Sequence, residues 1–177
     1  MAHVIFITGG ARSGKSIYAE KRVQEFGPSL GYLATSQALD DEMDERVRKH
    51  RERRGPEWST IEEPVQLVQA LEGCDGRFQA VLVDCVTLWL SNLMFKYEDS
   101  AENIEEKIQD DLYRLKKTLR GMVTPVILVS NEVGMGIVPD NALARMFRDI
   151  AGTANQILAA AADEVHVVIS GIPLRLK

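Results

Sequence analysis

The chain has 177 residues, of which 45% are hydrophobic and 27% are charged, and its formal net charge at pH 7 is −5. A chain of this length and apolar content can bury one substantial core, so a single domain over residues 1–177 is expected. The acidic balance argues against a nucleic-acid partner, and no apolar run approaches the roughly 20 residues of a membrane-spanning helix.

The two cysteines, Cys74 and Cys85, do not have the spacing of a metal site. We interpret them as reduced thiols, which predicts a cytoplasmic protein.

Apolar strand candidates alternate with helical candidates along the chain. The predicted strands are 3–8, 30–35, 78–84, 125–130 and 164–170, with 58–62 as an extra edge strand. The predicted helices are 15–26, 40–54, 64–71, 104–120 and 141–162. Strands separated by helices indicate an α/β fold with a mostly parallel sheet and helices on both faces. Ligands of such sheets bind outside the carboxyl ends of the strands.

Residues 9–16 fit the pattern G-x-x-x-x-G-K-[ST], which is typical of a phosphate-binding loop, or P-loop. They are Gly9, Gly10, Ala11, Arg12, Ser13, Gly14, Lys15 and Ser16. A predicted strand precedes them and a predicted helix follows, which is the context that this loop requires. Backbone N–H groups would hold the phosphates, Lys15 would reach the β- and γ-phosphates, and the Ser16 hydroxyl would bind Mg²⁺. The segment therefore predicts a nucleoside-triphosphate site.

A run of four apolar residues, followed directly by Asp84, indicates a Walker B strand. A carboxylate at the end of that strand would hold Mg²⁺ directly or through water. The pattern is weak when it stands alone, because many strands end in Asp. The alternative is that Asp84 caps the following helix.

The segment 46–54 is unusually basic for a net-acidic chain. His50 lies among six cations, Arg46, Arg48, Lys49, Arg51, Arg53 and Arg54. A bound anion would relieve the repulsion between these like charges, and the cations would keep His50 neutral and able to act as a nucleophile or base. A solvent-exposed helix with an incidental histidine is the alternative. His3 and His166 are weaker catalytic candidates, because neither lies in such a setting.

Two further regions leave alternatives open. Glu62 and Glu63 either accept ribose hydroxyls or orient His50, or they are solvated acids before Pro64. Residues 131–139 follow the fourth main strand as a glycine-rich turn with a carboxylate, which suits a loop for a second substrate. A tight strand-to-helix connection is the alternative.

Taken together, these segments resemble the bifunctional adenosylcobinamide kinase/adenosylcobinamide-phosphate guanylyltransferases of cobalamin biosynthesis. The resemblance extends over nearly the whole chain. It depends on residues 8–16, 32–36, 41–43 with Arg46 and His50-Arg51, 131–139, 147–152 and 170–173.

The resemblance implies two reactions. First, ATP or GTP phosphorylates the aminopropanol hydroxyl of adenosylcobinamide. A histidine, by position His50, then takes GMP from GTP and passes it to adenosylcobinamide phosphate, which gives adenosylcobinamide-GDP. The resemblance also implies a homotrimer and the further GTP-site residues Ala34, Thr35, Ser36, Arg51, Glu52, Arg53, Arg54, Glu62 and Asp84.

The residues by themselves are compatible with two other functions. One is an ordinary P-loop kinase of a small metabolite, in which residues 46–54 form a lid over the γ-phosphate. The other is a nucleotide-gated binding protein with slow hydrolysis. Nucleotidyl transfer requires attack at the α-phosphorus rather than the γ-phosphorus, so a separate nucleophile such as His50 distinguishes the bifunctional enzyme.

Overall fold

The structure is a computed structural model that describes residues 2–36, 55–99 and 103–177. The predicted helix 40–54 lies outside these ranges. So do five of the predicted site residues, which are His50, Arg51, Glu52, Arg53 and Arg54.

The described residues form seven strands and five helices. The strands are β1 (Val4–Gly9), β2 (Leu30–Ala34), β3 (Trp58–Glu62), β4 (Ala80–Asp84), β5 (Val126–Asn131), β6 (Glu164–Ile169) and β7 (Ile172–Arg175). The helices are α1 (Lys15–Gln24), α2 (Leu67–Cys74), α3 (Val86–Tyr97), α4 (Ile104–Gly121) and α5 (Ala142–Ala161).

All seven strands belong to one sheet with the order β3-β2-β4-β5-β1-β6-β7. Every neighbouring pair is parallel except β6 and β7, which are antiparallel. The strand β5 therefore separates β1, which leads into the P-loop, from β4, which ends in Asp84. The predicted α/β class with a mostly parallel sheet is confirmed.

Helices cover both faces of the sheet because alternate strand residues point to opposite sides. On one face, Ile5 and Ile7 of β1 belong to the same buried cluster as Ala19 and Val23 of α1. On the other face, Phe6 belongs to a larger cluster. The helical members of that second cluster include Leu71 of α2, Leu90 of α3, Leu112 of α4 and Leu158 of α5.

The six predicted strands are all present, including the edge strand β3, whereas two other elements were not predicted. Helix α3 is apolar around most of its circumference and lacks the one-sided pattern that indicates a helix from sequence. Strand β7 is short and exposed at all four residues, so it lacks the apolar alternation of a half-buried strand.

Candidate active site

The P-loop lies between β1 and α1, and the β6–β7 turn packs against it. A Cβ atom on Gly9 would lie 2.5 Å from the carbonyl oxygen of Val168, so the first glycine is required by the approach of β6. Gly14, at the start of α1, has φ of 93° and would bring a Cβ to 3.2 Å from Cα of Gly171. The Gly171 N–H also donates to the Ser13 carbonyl at 2.8 Å. The turn therefore holds the loop in shape from one side.

Lys15 is a buried ammonium at the mouth of this loop. Its Nζ donates to the Gly10 carbonyl at 3.1 Å. Desolvation by burial lowers the pKa of Lys15, while the nearby Cys85 and Asp84 act in the opposite direction. Lys15 and Asp84 are therefore within electrostatic range of one another, although they are far apart in the sequence. A partly desolvated cation of this kind interacts strongly with an incoming anion.

The Asp84 carboxylate is hydrogen bonded to a tyrosine and does not cap the helix that follows it. Tyr32 Oη on β2 donates to Asp84 Oδ2 at 3.0 Å. The residue that precedes α3 is Cys85, and its side chain makes no capping hydrogen bond. The alternative in which Asp84 caps this helix is therefore not supported. Its second oxygen, Oδ1, accepts no hydrogen bond from the residues that the structure describes.

Strand register aligns three of the predicted site residues across the sheet. Glu62 at the end of β3 pairs with Ala34 on β2, and Ala34 pairs with Asp84 on β4. With neighbouring strands about 4.8 Å apart, Asp84 is two strand spacings, or about 10 Å, from β1 and from β3. Glu62, on β3, is about 19 Å from β1 by the same measure. Glu62 is therefore at the far side of the crevice from the P-loop.

Thr35 has its hydroxyl engaged within the protein. The side chain is fully buried, and Oγ1 donates to the Cys85 carbonyl at 2.7 Å while accepting from the Cys85 N–H at 2.9 Å. These bonds join the end of β2 to the start of α3. Ser36, the next residue, is half-buried. Of this pair, Ser36 has the hydroxyl that is accessible to a ligand.

A buried polar network, which sequence reasoning did not find, fixes the carboxyl end of β5. Ser130 Oγ donates to Asn155 Oδ1 at 2.7 Å and lies 3.2 Å from Thr87 Oγ1. The backbone N–H of Asn131 donates to Thr87 Oγ1 at 2.6 Å, and its carbonyl accepts from Asn155 Nδ2 at 3.1 Å. The one signal in the sequence was Asn155, a polar residue on the apolar side of α5. Since Asn131 pairs with Gly9, the network holds the backbone beside the P-loop.

Three buried polar atoms near this point have no hydrogen-bond partner within the described residues. They are Thr8 Oγ1, Ser13 Oγ and Asn131 Oδ1. A buried polar group left unpaired costs about 1–3 kcal/mol. Their grouping at the P-loop and at the strand beside it is consistent with polar groups that a bound ligand or water would satisfy.

The two histidines that the structure describes, His3 and His166, lie near Glu164 at the amino end of the sheet. His166 is buried, and its Nε2 is 3.0 Å from Glu164 Oε2. His3 Nε2 is 2.9 Å from the other Glu164 oxygen. Arg22 donates to Glu164 at 3.2 Å, and Tyr18 Oη is 3.2 Å from His166 Nδ1. Both histidines therefore belong to a hydrogen-bonded network that joins α1 to β6 and to the start of β1.

Within residues 2–36, 55–99 and 103–177, no helix is both long enough and apolar enough to cross a membrane. The same residues contain no group of three or more His, Cys, Asp or Glu side chains arranged to hold a metal ion.

The fold and the site together define a class of protein. A parallel strand leads through a glycine loop into a helix that begins with Lys15, and an acidic residue ends a strand two positions away in the sheet. This arrangement is that of an α/β nucleotide-binding protein with a P-loop. The crystal structure of the RadB recombinase has a similar fold, with a TM-score of 0.51 at 14% identity, covering 93% of this chain and 73% of that chain.

The chain belongs to the family described as cobinamide kinase/cobinamide phosphate guanyltransferase, whose sequence model matches residues 5–176. It is 44% identical over 181 residues to the "Bifunctional adenosylcobalamin biosynthesis protein CobU" of Escherichia coli (strain K12), which covers 98% of this chain and 99% of that protein. It is also 39% identical over 171 residues to the "Bifunctional adenosylcobalamin biosynthesis protein CobP" of Pseudomonas aeruginosa, covering 97% and 95%. The chain is therefore an enzyme of this bifunctional family.

Proposed function

We propose that the chain phosphorylates adenosylcobinamide with ATP or GTP and then transfers GMP from GTP to adenosylcobinamide phosphate. The observation that carries this proposal is the position of buried Lys15, which begins α1 directly after the P-loop, while Asp84 ends a strand two positions away in the same sheet. Full-length membership of a kinase/guanyltransferase family supports the choice of acceptor.

In the phosphorylation step, Lys15 would stabilise the negative charge of the transferring phosphoryl group. The hydrogen bond from Lys15 Nζ to the Gly10 carbonyl would be exchanged for contacts with phosphate oxygens. The acceptor hydroxyl attacks the γ-phosphorus and loses its proton to water, the bond from γ-phosphorus to the bridging oxygen breaks, and the nucleoside diphosphate leaves.

Mg²⁺ fits the oxygen donors at this site. Ser16 has its hydroxyl in the first turn of α1, and Asp84 has one oxygen that accepts no hydrogen bond from the described residues. A hydroxyl, a carboxylate, waters and substrate phosphates form the kind of shell that Mg²⁺ prefers, and a cluster of three protein carboxylates is not required. We propose that Ser16 and Asp84 hold the ion, which would neutralise phosphate charge when bound.

In the second reaction, we propose that a lone pair of His50 attacks the α-phosphorus of GTP and that pyrophosphate leaves. The covalent product is a phosphoramidate that carries GMP. An oxygen of adenosylcobinamide phosphate then attacks the same phosphorus, the N–P bond breaks, and His50 is released as the free base. Arg51, Arg53 and Arg54 would bind the pyrophosphate charge. Ala34, Thr35, Ser36, Glu52 and Glu62 would complete the GTP site.

We further propose that the active form is a cytoplasmic homotrimer. Apolar side chains exposed at the edge of the sheet support a subunit contact there. They are Ile169, Ile172, Leu174 and Leu176.

Incubation with GTP labelled at the α-phosphate tests the proposed function against its two rivals. We expect label that stays on denatured protein and is labile to acid but stable to base, as a phosphoramidate is. An ordinary kinase or a nucleotide-gated binding protein would retain no label. Absence of label from active enzyme would therefore exclude the covalent route.

His50→Ala should lose the labelled adduct and the transfer of GMP, while it keeps part of the kinase activity, because phosphorylation does not use the imidazole lone pair. Adduct yield in the unaltered protein should fall as the pH falls through the pKa of His50, since an imidazolium has no lone pair to donate. His3→Ala and His166→Ala serve as controls and should still form adduct when folded. A normal adduct on His50→Ala, located by mass spectrometry on another residue, would overturn the assignment.

A further inference from the structure

The loop between β5 and α5, residues 132–141, exposes apolar side chains next to the P-loop. Met135 is 89% exposed, Ile137 is 97% exposed and Val138 is 59% exposed. Leu143, in the first turn of α5, is 60% exposed. Single exposed apolar residues are ordinary on protein surfaces, but several within one short segment indicate a contact surface. We call these four side chains the apolar surface.

The backbone of this loop is anchored at both ends. At its start, the Glu132 N–H donates to the Gly9 carbonyl at 3.0 Å, and Glu132 Oε1 accepts from the Gly134 N–H at 2.9 Å. At its end, Arg145 donates to the carbonyls of Pro139 at 2.9 Å and Asp140 at 2.7 Å. Hydrogen bonds therefore fix the backbone of the loop in a conformation that leaves these apolar side chains exposed to solvent and not packed on the core.

The loop that carries the apolar surface leaves the sheet beside the P-loop. Asn131 pairs with Gly9, and neighbouring strands are about 4.8 Å apart. The loop and the P-loop therefore lie at the same edge of the sheet, so a large acceptor bound to the loop can extend towards a nucleotide phosphate. The exposed apolar residues of β7, by contrast, lie on the other side of β1, across β6.

We propose that the apolar surface binds the macrocycle of the corrinoid acceptor, a proposal that rests on the proposed function. The acceptor hydroxyl must come within about 3.5 Å of the γ-phosphorus to react. The bulk of so large an acceptor must then lie on a surface continuous with the P-loop. The apolar parts of this acceptor would be covered by side chains such as Ile137 and Val138. Binding energy gained there, remote from the reacting atoms, would position the hydroxyl.

The chain offers a matched pair of substitutions to test this. Val138→Ser removes an exposed apolar side chain from the loop that follows β5. Val123→Ser makes the same change at the amino end of β5, where Val123 is 69% exposed. We expect Val138→Ser to raise the KM for cobinamide about 10-fold, from loss of one buried apolar side chain. The KM for the nucleotide and the yield of labelled GMP adduct should not change, and Val123→Ser should behave like the unaltered protein.

A second pair of variants separates apolar contact from a general disturbance of the loop. Ile137→Leu should keep the KM for cobinamide near its original value, whereas Ile137→Ser should raise it. Thermal unfolding and sedimentation velocity are recorded for every variant. An unchanged KM in both Val138→Ser and Ile137→Ser would overturn the proposal. An unchanged KM together with loss of subunit association would overturn it in favour of a contact between copies of this chain.

The same assay distinguishes failure of this proposal from failure of the proposed function. If the unaltered protein phosphorylates cobinamide but the serine variants bind it normally, only the apolar surface is misassigned. If the unaltered protein does not phosphorylate cobinamide under conditions where it binds nucleotide, the proposed function falls, and this proposal falls with it.

Discussion

The two ends of the sheet use similar polar residues in opposite ways. At the amino ends of β1 and β6, Glu164 is hydrogen bonded to His166, to His3 and to Arg22. The hydrogen bond with His166, followed by those with His3 and Arg22, lowers the pKa of Glu164 from 4.5 to about 2, although burial opposes this. Each polar group in this network has a partner within the chain.

At the carboxyl ends of β1 and β5, by contrast, three buried polar groups have no partner in the part of the chain that the structure describes, although the neighbouring Thr87, Ser130 and Asn155 side chains are hydrogen bonded to one another. Thr8 Oγ1, Ser13 Oγ and Asn131 Oδ1 make no hydrogen bond within the described residues. Lys15 beside them has a pKa lowered by burial. The comparison predicts that the Glu164 network contributes to stability, whereas the unpaired groups beside Lys15 are available to phosphate or substrate. Substitutions at the two ends should therefore differ in whether they change the rate of phosphorylation or the free energy of unfolding, and in the size and sign of that change.

The largest effect is expected at Lys15. Lys15→Ala should reduce phosphorylation of cobinamide by about 10²-fold or more, because one preorganised contact with the transferring group is lost. Steady-state assays at saturating nucleotide measure this. Lys21→Ala removes an exposed lysine from the same helix and should have little effect. Near-normal phosphorylation by Lys15→Ala would contradict the P-loop assignment.

A change at the amino end should affect stability rather than rate. Glu164→Gln should lower the free energy of unfolding at pH 7 by about 2 kcal/mol, because hydrogen bonds to a charged carboxylate are weakened. Urea unfolding measures this difference. Glu25→Gln, which alters an exposed partner of the same Arg22, should cost about 0.5 kcal/mol or less. A large loss of kcat in folded Glu164→Gln would mean that the amino end of the sheet also contributes to catalysis.

The difference in free energy of unfolding between the unaltered protein and Glu164→Gln should depend on pH with a definite sign. Glu164 has a lower pKa in the folded protein than its ordinary value, so its contribution is complete above about pH 4.5 and is lost as the pH falls towards 2. The stability gap between the unaltered protein and Glu164→Gln should therefore shrink over this window. A gap that stays constant down to pH 2 would contradict the shift.

The smallest effect, with the opposite sign, is expected at Ser13. Ser13→Ala removes a buried hydroxyl that has no partner, so the nucleotide-free protein should gain about 1 kcal/mol in stability. The rise in Tm on adding GTP should be smaller than in the unaltered protein, because the ligand loses a contact. Ser29→Ala, at an exposed position, should change neither quantity. Lower stability of nucleotide-free Ser13→Ala would show that this hydroxyl is not left unpaired.

Features that depend on residues close together in the sequence could be predicted. The P-loop, Lys15 at the start of α1 and the alternation of strands with helices all follow from local pattern and spacing. Asp84 was identified as the acid at a strand end because four apolar residues precede it. Helix α3 and strand β7 were missed, because the first is buried on most sides and the second on none, so neither has the one-sided pattern that sequence reasoning requires.

The sequence alone therefore determined that a P-loop joins a strand to a helix and that an acidic residue ends another strand. Only the tertiary structure decided what surrounds those groups. It placed β5 between β1 and β4, set Tyr32 against Asp84, and joined Thr87, Ser130 and Asn155 at the end of β5, beside the P-loop. These contacts join residues that are far apart in the sequence. They depend on which strands become neighbours in the sheet, and a local pattern does not contain that information.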